Sequence, residues 1–265
     1  MNSVILIPAR FQSSRYPGKP LVELKGAKGT AKPLIQRSVE AARRVAGVSG
    51  VFVTTDDERI ANVCSGLGVG VIMTSGECRN GTERCAEALA SLHEPDLVIN
   101  FQGDALLTPP GFVEALMARM EQDGGALVAT SAIRLRSDEV RKIRAEEAAG
   151  LVGGTSVVAD NQGFALYFSK RLIPHLPVAA LDEEISPVRL HIGVYAYRPQ
   201  ALDLYAATPV SDLETLEGLE QLRFLAAGVP VAVVEVATPP FALRELNNPE
   251  DVAPIEQALA EAGLD

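Results

Sequence analysis

Short unbroken runs of Val, Ile, Leu and Phe alternate with stretches of helical period through the first half of this chain. The runs fall at residues 3–7, 51–54, 69–73 and 97–101, and the helical stretches at 33–45, 57–65, 82–92 and 109–120. Strands that are apolar at every position cannot show one face to water. They predict a parallel sheet covered by helices on both sides. Leu34, Val39, Ala42 and Val45 share one side of the first helix. Acids open the second helix, where they suit the positive end of its dipole, and proline opens the fourth.

The second half changes character. Strands are predicted at 126–133, 155–159, 164–168, 189–197 and 231–236, with Asp160-Asn161-Gln162-Gly163 as a hairpin turn between the second and third of these. Helices are expected at 137–149, 202–207, 213–226 and 249–262, and a flexible loop at 174–187. No repeat or long linker interrupts the 265 residues. We therefore expect one domain: a nucleotide-binding core over 1–133, an antiparallel insertion over 134–228 and a return to the core over 229–265.

Ligands of parallel α/β sheets bind beyond the carboxyl ends of the strands. The first strand runs into Pro8-Ala9-Arg10-Phe11-Gln12-Ser13-Ser14-Arg15-Tyr16-Pro17-Gly18-Lys19-Pro20, which carries three cations, two serines and a glycine. Cations and backbone N–H groups are what a polyphosphate needs. The loop is not a Walker A motif, because Ser13 stands at its first glycine and Pro20 at its Ser/Thr. Nor does a G-x-G-x-x-G follow the strand. Gly66-Leu67-Gly68-Val69-Gly70 precedes a strand and reads as a helix C-cap and turn. The whole chain carries a net charge of −10, which argues against nucleic acid or an anionic membrane as partner. Residues 10–32 are the exception, with six basic side chains against one acid. Three cysteines, Cys64, Cys78 and Cys85, suit neither a disulfide framework nor a metal cage. The first apolar run is too short for a signal sequence or a membrane span. A cytoplasmic protein without membrane insertion is expected.

Several motifs in order carry a family resemblance. Pro8-Ala9-Arg10 through Lys19-Pro20-Leu21, Thr54-Thr55-Asp56, Asn80-Gly81-Thr82-Glu83-Arg84 and Asn100-Phe101-Gln102-Gly103-Asp104 occur in the first half. Residues 165–170 (Ala-Leu-Tyr-Phe-Ser-Lys), 191–198 (His-Ile-Gly-Val-Tyr-Ala-Tyr-Arg), 219–223 (Leu-Glu-Gln-Leu-Arg) and 248–252 (Asn-Pro-Glu-Asp-Val) follow. The set resembles the signatures of the 3-deoxy-manno-octulosonate (Kdo) cytidylyltransferases, the CMP-Kdo synthetases. The resemblance implies a Rossmann-like nucleotidyltransferase with a mostly parallel central sheet and an antiparallel insertion for dimerisation and sugar binding. It implies transfer of CMP from CTP to the anomeric hydroxyl of Kdo or a related 3-deoxy-2-ulosonic acid, with release of pyrophosphate and dependence on Mg²⁺. It also implies a homodimer.

Carried over residue by residue, the resemblance makes Arg10, Lys19 and Asp104 the catalytic residues. It places Ala9, Arg10, Ser14, Arg15, Lys19, Thr55, Asp56, Asn80, Gly81, Thr82, Arg84, Gln102 and Gly103 at the nucleotide. Thr82 serves equally well as a helix cap. Gln102, Lys170, His191, Tyr195, Glu220 and Gln221 fall at the acidic sugar, and Asp104 and Asn247 at the metal. His191 also reads as a core histidine.

Four departures stand out. Ala105-Leu106 replaces the family's Glu-Pro, Asn247 aligns with a metal-binding aspartate, residues 25–31 lengthen a turn, and Lys170 replaces an arginine. Lysine keeps the charge but loses the fork that grips a carboxylate. Glu245, two residues before Asn247, is a candidate replacement carboxylate. Two alternatives stay open: a cytidylyltransferase for another acidic sugar such as a sialic-acid-like nonulosonate, and a nucleotide-binding homologue without catalysis.

Overall fold

The computed structural model describes residues 1–12 and 15–265. The first half builds strands β1 (Ser3–Ala9), β2 (Glu23–Lys25), β3 (Ala31–Pro33), β4 (Gly50–Thr55), β5 (Gly70–Met73) and β6 (Leu97–Phe101). With them come helices α1 (Leu34–Ala42), α2 (Glu58–Gly66), α3 (Gly81–Ala88) and α4 (Pro110–Gln122). The second half adds β7 (Val128–Arg136), α5 (Ser137–Ala148), β8 (Ser156–Ala159), β9 (Ala165–Ser169), β10 (Ile185–Tyr197) and α6 (Pro199–Ala207). It ends with α7 (Asp212–Glu217), α8 (Leu222–Ala226), β11 (Val231–Glu235) and α9 (Val252–Glu261).

The main sheet runs β11-β7-β10-β6-β1-β4-β5, with β8 and β9 attached beside β10. Strands β5, β4, β1 and β6 are parallel, while β10 runs antiparallel between β6 and β7. The insertion expected over 134–228 thus supplies a strand to the centre of the sheet. Alternate residues of β1 enter opposite cores. Ile5 and Ile7 join Ile35, Val39, Ile60, Val113 and Leu116 from α1, α2 and α4. Val4 and Leu6 join Cys85, Ala88, Leu202 and Phe224 from α3, α6 and α8. This two-sided burial is the physical reason the strands read as continuous apolar runs. Among the described residues no helix is long and apolar enough to cross a membrane.

Some expectations need correction. The helix expected over 213–226 breaks into α7 and α8, because Gly218 adopts a left-handed φ of 60° and closes α7. The long turn over 25–31 is the tip of the β2–β3 hairpin. The loop expected over 174–187 carries a short 3-10 helix at Val178–Leu181 and gives its last residues to β10. The helix expected over 82–92 ends at Ala88 and tightens into a 3-10 turn at Leu89–Ser91.

A third apolar cluster positions the functional loops. Leu24 of the hairpin, Leu106, Leu107, Leu246 and Ile255 and Leu259 of α9 pack together. Leu106 and Leu107 follow Asp104, and Leu246 lies between Glu245 and Asn247. Leu106 and Leu107 thus anchor the Asp104 loop to the segment that carries residue 247.

Candidate active site

β1 lies between β4 and β6, so the chain leaves it in opposite directions and opens a crevice at the carboxyl ends of the strands. A cleft of about 210 Å³ occupies this point. Gly103 makes the closure possible: a Cβ there would lie 2.6 Å from the Pro8 carbonyl oxygen, too close for any side chain. Ser38 of α1 donates to the Gly103 carbonyl at 2.8 Å and fixes the crossing.

Ala9, Arg10, Arg15, Lys19, Asn80, Gly81, Arg84, Gln102, Gly103 and Asp104 all line the cleft. Ser14 lies outside the described residues. The cationic loop is held at both ends. The Gly18 N–H donates to the Phe11 carbonyl at 2.9 Å, and the Phe11 ring lies under the Arg59 guanidinium at 3.3 Å from its centroid. Arg59 forks onto Asp57, the N-cap of α2. The loop is thereby tied to the second helix, a contact the sequence does not announce.

Three expected nucleotide residues turn elsewhere. Thr82 is fully buried and its hydroxyl lies 2.9 Å from the Tyr197 hydroxyl. It neither caps the helix nor faces the cleft; Asn80 is the cap, its Oδ1 accepting from the Glu83 N–H at 2.8 Å. Thr55 is buried and accepts from the Asp57 N–H at 3.2 Å, shaping the turn into α2. Asp56 sits behind the cleft wall with a carboxylate oxygen 3.6 Å from the Arg84 guanidinium. Arg84 also donates to the Thr74 hydroxyl.

At the cleft floor the Lys19 ammonium meets Asp104 Oδ2 at 2.6 Å. The Arg15 guanidinium donates to Asn247 Oδ1 at 3.0 Å. Asn247, expected at the metal, thus directs its side-chain oxygen at Arg15. Its side chain is also hydrogen-bonded to Glu245. The Glu245 carboxyl is raised to about 7, first by the negative charge of Asp104 and then by burial; Lys19, Asn247 and Arg15 oppose the shift. Mg²⁺ is usually held by one or two carboxylates together with substrate phosphates. Two carboxylates that repel one another beside a cationic loop fit that ion, although among the described residues no cage of three acidic, His or Cys side chains exists.

Second-half residues lie behind Gln102 of the cleft lining. Glu220 accepts from the Thr82 N–H at 3.0 Å and from Gln102 Nε2 at 3.3 Å. Burial raises its proton affinity against those bonds. His191, Tyr195 and Tyr197 follow one another in a ring ladder with centroids 5.4 and 5.6 Å apart. Gln221 is buried, and its Nε2 has no hydrogen-bond partner among the described residues. Lys170 donates its backbone N–H to Glu217 at 2.9 Å. Its ammonium rests over Gly218, where a Cβ would come within 2.8 Å.

Comparisons with known proteins agree with this arrangement. The cytidylyltransferase family model matches residues 4–233. The chain is 37% identical over 264 residues to the 3-deoxy-manno-octulosonate cytidylyltransferase of Maricaulis maris (strain MCS10), spanning 99% of both chains. It belongs to the 3-deoxy-manno-octulosonate cytidylyltransferase family. A relative from Shewanella sp. (strain ANA-3), an 8-amino-3,8-dideoxy-manno-octulosonate cytidylyltransferase, is 38% identical over 98% of this chain and 99% of its own. A solved structure of CMP:2-keto-3-deoxy-manno-octonic acid synthetase complexed with CTP superposes with a TM-score of 0.84 at 35% identity. It covers 99% of this chain and all of that one. This chain is thus a nucleotidyltransferase.

One site residue of this cytidylyltransferase gives a direct pH prediction. His191 Nε2 lies 2.9 Å from the Thr130 hydroxyl, and the ring meets Phe168 edge-on at 5.2 Å. Desolvation lowers its pKa to about 3 from 6.5. Below pH 6.5 the unfolded chain takes up a proton that the folded chain refuses. Stability should therefore fall as pH drops from 6.5 towards 3, by at most about 1.4 kcal/mol per pH unit from this group. Urea unfolding of the wild type and His191→Gln across that range checks it: the variant should show the shallower slope, and equal slopes would remove the histidine as cause.

Proposed function

We propose that the protein transfers CMP from CTP to the anomeric hydroxyl of an eight-carbon 3-deoxy-2-ulosonic acid of the Kdo type, with Mg²⁺. The observation that carries the reading is convergence. Three cations from one loop line the cleft together with Asp104 and Gln102, with the Glu245 carboxyl coupled to Asp104 and Glu220 hydrogen-bonded to Gln102 behind it.

Arg10, Arg15 and Lys19 hold the triphosphate, the arginines as forks and the lysine as a point charge. Asn80, Gly81 and Arg84 bound the nucleoside side, with Gln102 offering both donor and acceptor. Asp104 and Glu245 would hold Mg²⁺, which would supply positive charge against the leaving pyrophosphate. Asn247 orients Arg15 and Glu245. The sugar hydroxyl attacks the α-phosphorus, so no protein nucleophile is required; these side chains align and stabilise. Glu220, Gln221, His191, Tyr195 and Lys170 form the acceptor wall. Exposed Leu166, Leu204, Leu213 and Leu216 on the second half support a homodimer. Three free, buried cysteines suit a reducing cytoplasm.

The test is pyrophosphate release with CTP and Mg²⁺ against a panel of Kdo, its 8-amino analogue and a nonulosonate. The highest kcat/KM should fall on an eight-carbon acid. Absence of release with every acceptor would overturn the reading.

A further inference from the structure

We infer that the Tyr205 hydroxyl positions the nucleotide wall of the cleft against the acceptor wall, an inference that rests on the transfer reaction proposed above. Tyr205 is 1% exposed, on α6, and does not line the cleft. Its hydroxyl accepts from Asn80 Nδ2 at 2.9 Å and donates to the Glu220 carbonyl oxygen at 3.2 Å, with Glu214 Oε1 at 3.4 Å. The two main partners come from different halves of the chain, one at the start of α3 and one in the turn between α7 and α8. Asn80 lines the cleft and caps α3 through its other amide atom. Glu220 holds Gln102 and the Thr82 N–H with its carboxylate.

The ring is itself fixed. The Arg223 guanidinium lies 4.0 Å above its face and the Phe224 ring 4.8 Å away. A hydroxyl on so constrained a ring has little freedom to follow its partners, so the partners must follow it. The carboxamide of Asn80 receives its orientation from two bonds, one to the helix and one to Tyr205. The Glu220 main chain receives its height from the same oxygen. Transfer between two bound substrates depends on how one wall is registered with the other, and small misplacements are felt chiefly in turnover. Tyr205 acts through Asn80 and Glu220 and is a positioning residue.

Tyr205→Phe keeps the ring, the Arg223 stack and the Phe224 contact, and removes only the hydroxyl. Two measurements test it. In steady-state assays with CTP, Mg²⁺ and Kdo, kcat should fall about tenfold while the CTP Kd, read calorimetrically, stays within about twofold, because a tenfold loss confined to the transition state is one of alignment. A kcat within twofold of wild type, or a loss carried wholly by CTP affinity, overturns the inference. Hydrogen exchange on the substrate-free protein gives the second readout. Amides at 80–84 and 219–222 should exchange about tenfold faster in the variant, with β1 unchanged. Wild-type exchange at both segments overturns the bridge whatever the acceptor is. A wild type inactive on the whole panel, with exchange responding as expected, would count against the reaction and not against the bridge.

Discussion

Asp104→Asn is expected to lower kcat by about a thousandfold or more, while CTP binding weakens by no more than about tenfold. The carboxylate faces the Lys19 ammonium at 2.6 Å and is mostly withdrawn from solvent. The amide keeps the shape and one oxygen but removes the charge. In the ground state the triphosphate roles proposed for Arg10, Arg15 and Lys19 are untouched by the change, so affinity should survive. Charge on the departing pyrophosphate grows along the reaction, and stabilisation that grows with it is what accelerates turnover. Removing one such group typically costs two to three orders of magnitude, about 3–4 kcal/mol, and here the Glu245 pair is broken as well. Steady-state kinetics with calorimetry of CTP on the same preparation separates the two quantities. A variant retaining more than a tenth of wild-type kcat would take Asp104 out of the chemistry.

Arg223→Met is expected to cost about 3–5 kcal/mol of folding stability, the scale for stranding a buried charge. Arg223 is 1% exposed and forks onto Glu214 at 2.7 and 2.6 Å, with a Glu83 oxygen 3.0 Å away. Methionine fills most of the volume but leaves two acids facing one another with little water. The exposed Arg79 fork onto Glu83 recovers little of that, since solvent screens it. For a chain of this length the loss corresponds to roughly a ten-degree fall in Tm. Arg223→Met combined with Glu214→Leu should regain a good part of it, because an apolar replacement of both partners is tolerated where a lone survivor is not. A single variant that melts within about two degrees of wild type would show that the network is not what holds α7 and α8 to α3.

The order of strands and helices was legible because each element has enough residues to show its period. The β2–β3 hairpin was not, since three residues per strand carry no period. The break at Gly218 was hidden because apolar residues recur on both sides of it as they would along one helix. In the site, the cationic loop was legible from its place after β1. Thr82 was misplaced because a motif gives spacing but not the rotation of a helix's first turn, and that rotation points Thr82 at Tyr197. The contact of Asn247 with Arg15 was not legible, because its two partners come from opposite ends of the chain. Tyr205 and Arg59 act through contacts of long sequence separation and short side-chain reach, which no local pattern encodes.

The antiparallel strand β10 has a consequence for how the protein is made. During synthesis β1, β4, β5 and β6 all emerge before it, and β6 then presents an unpaired edge until residues 185–197 arrive to cover it. A bare edge of that kind is a template for pairing with a neighbouring chain. Its proper partner comes late, so closure is slow and falls under the same kinetics that make non-local sheets prone to aggregation. A fragment ending near residue 133 would keep Arg10, Arg15 and Lys19 and still lack the strand that seals its own edge. Expression yield in this protein should therefore depend on how quickly the later residues follow the earlier ones out of the ribosome.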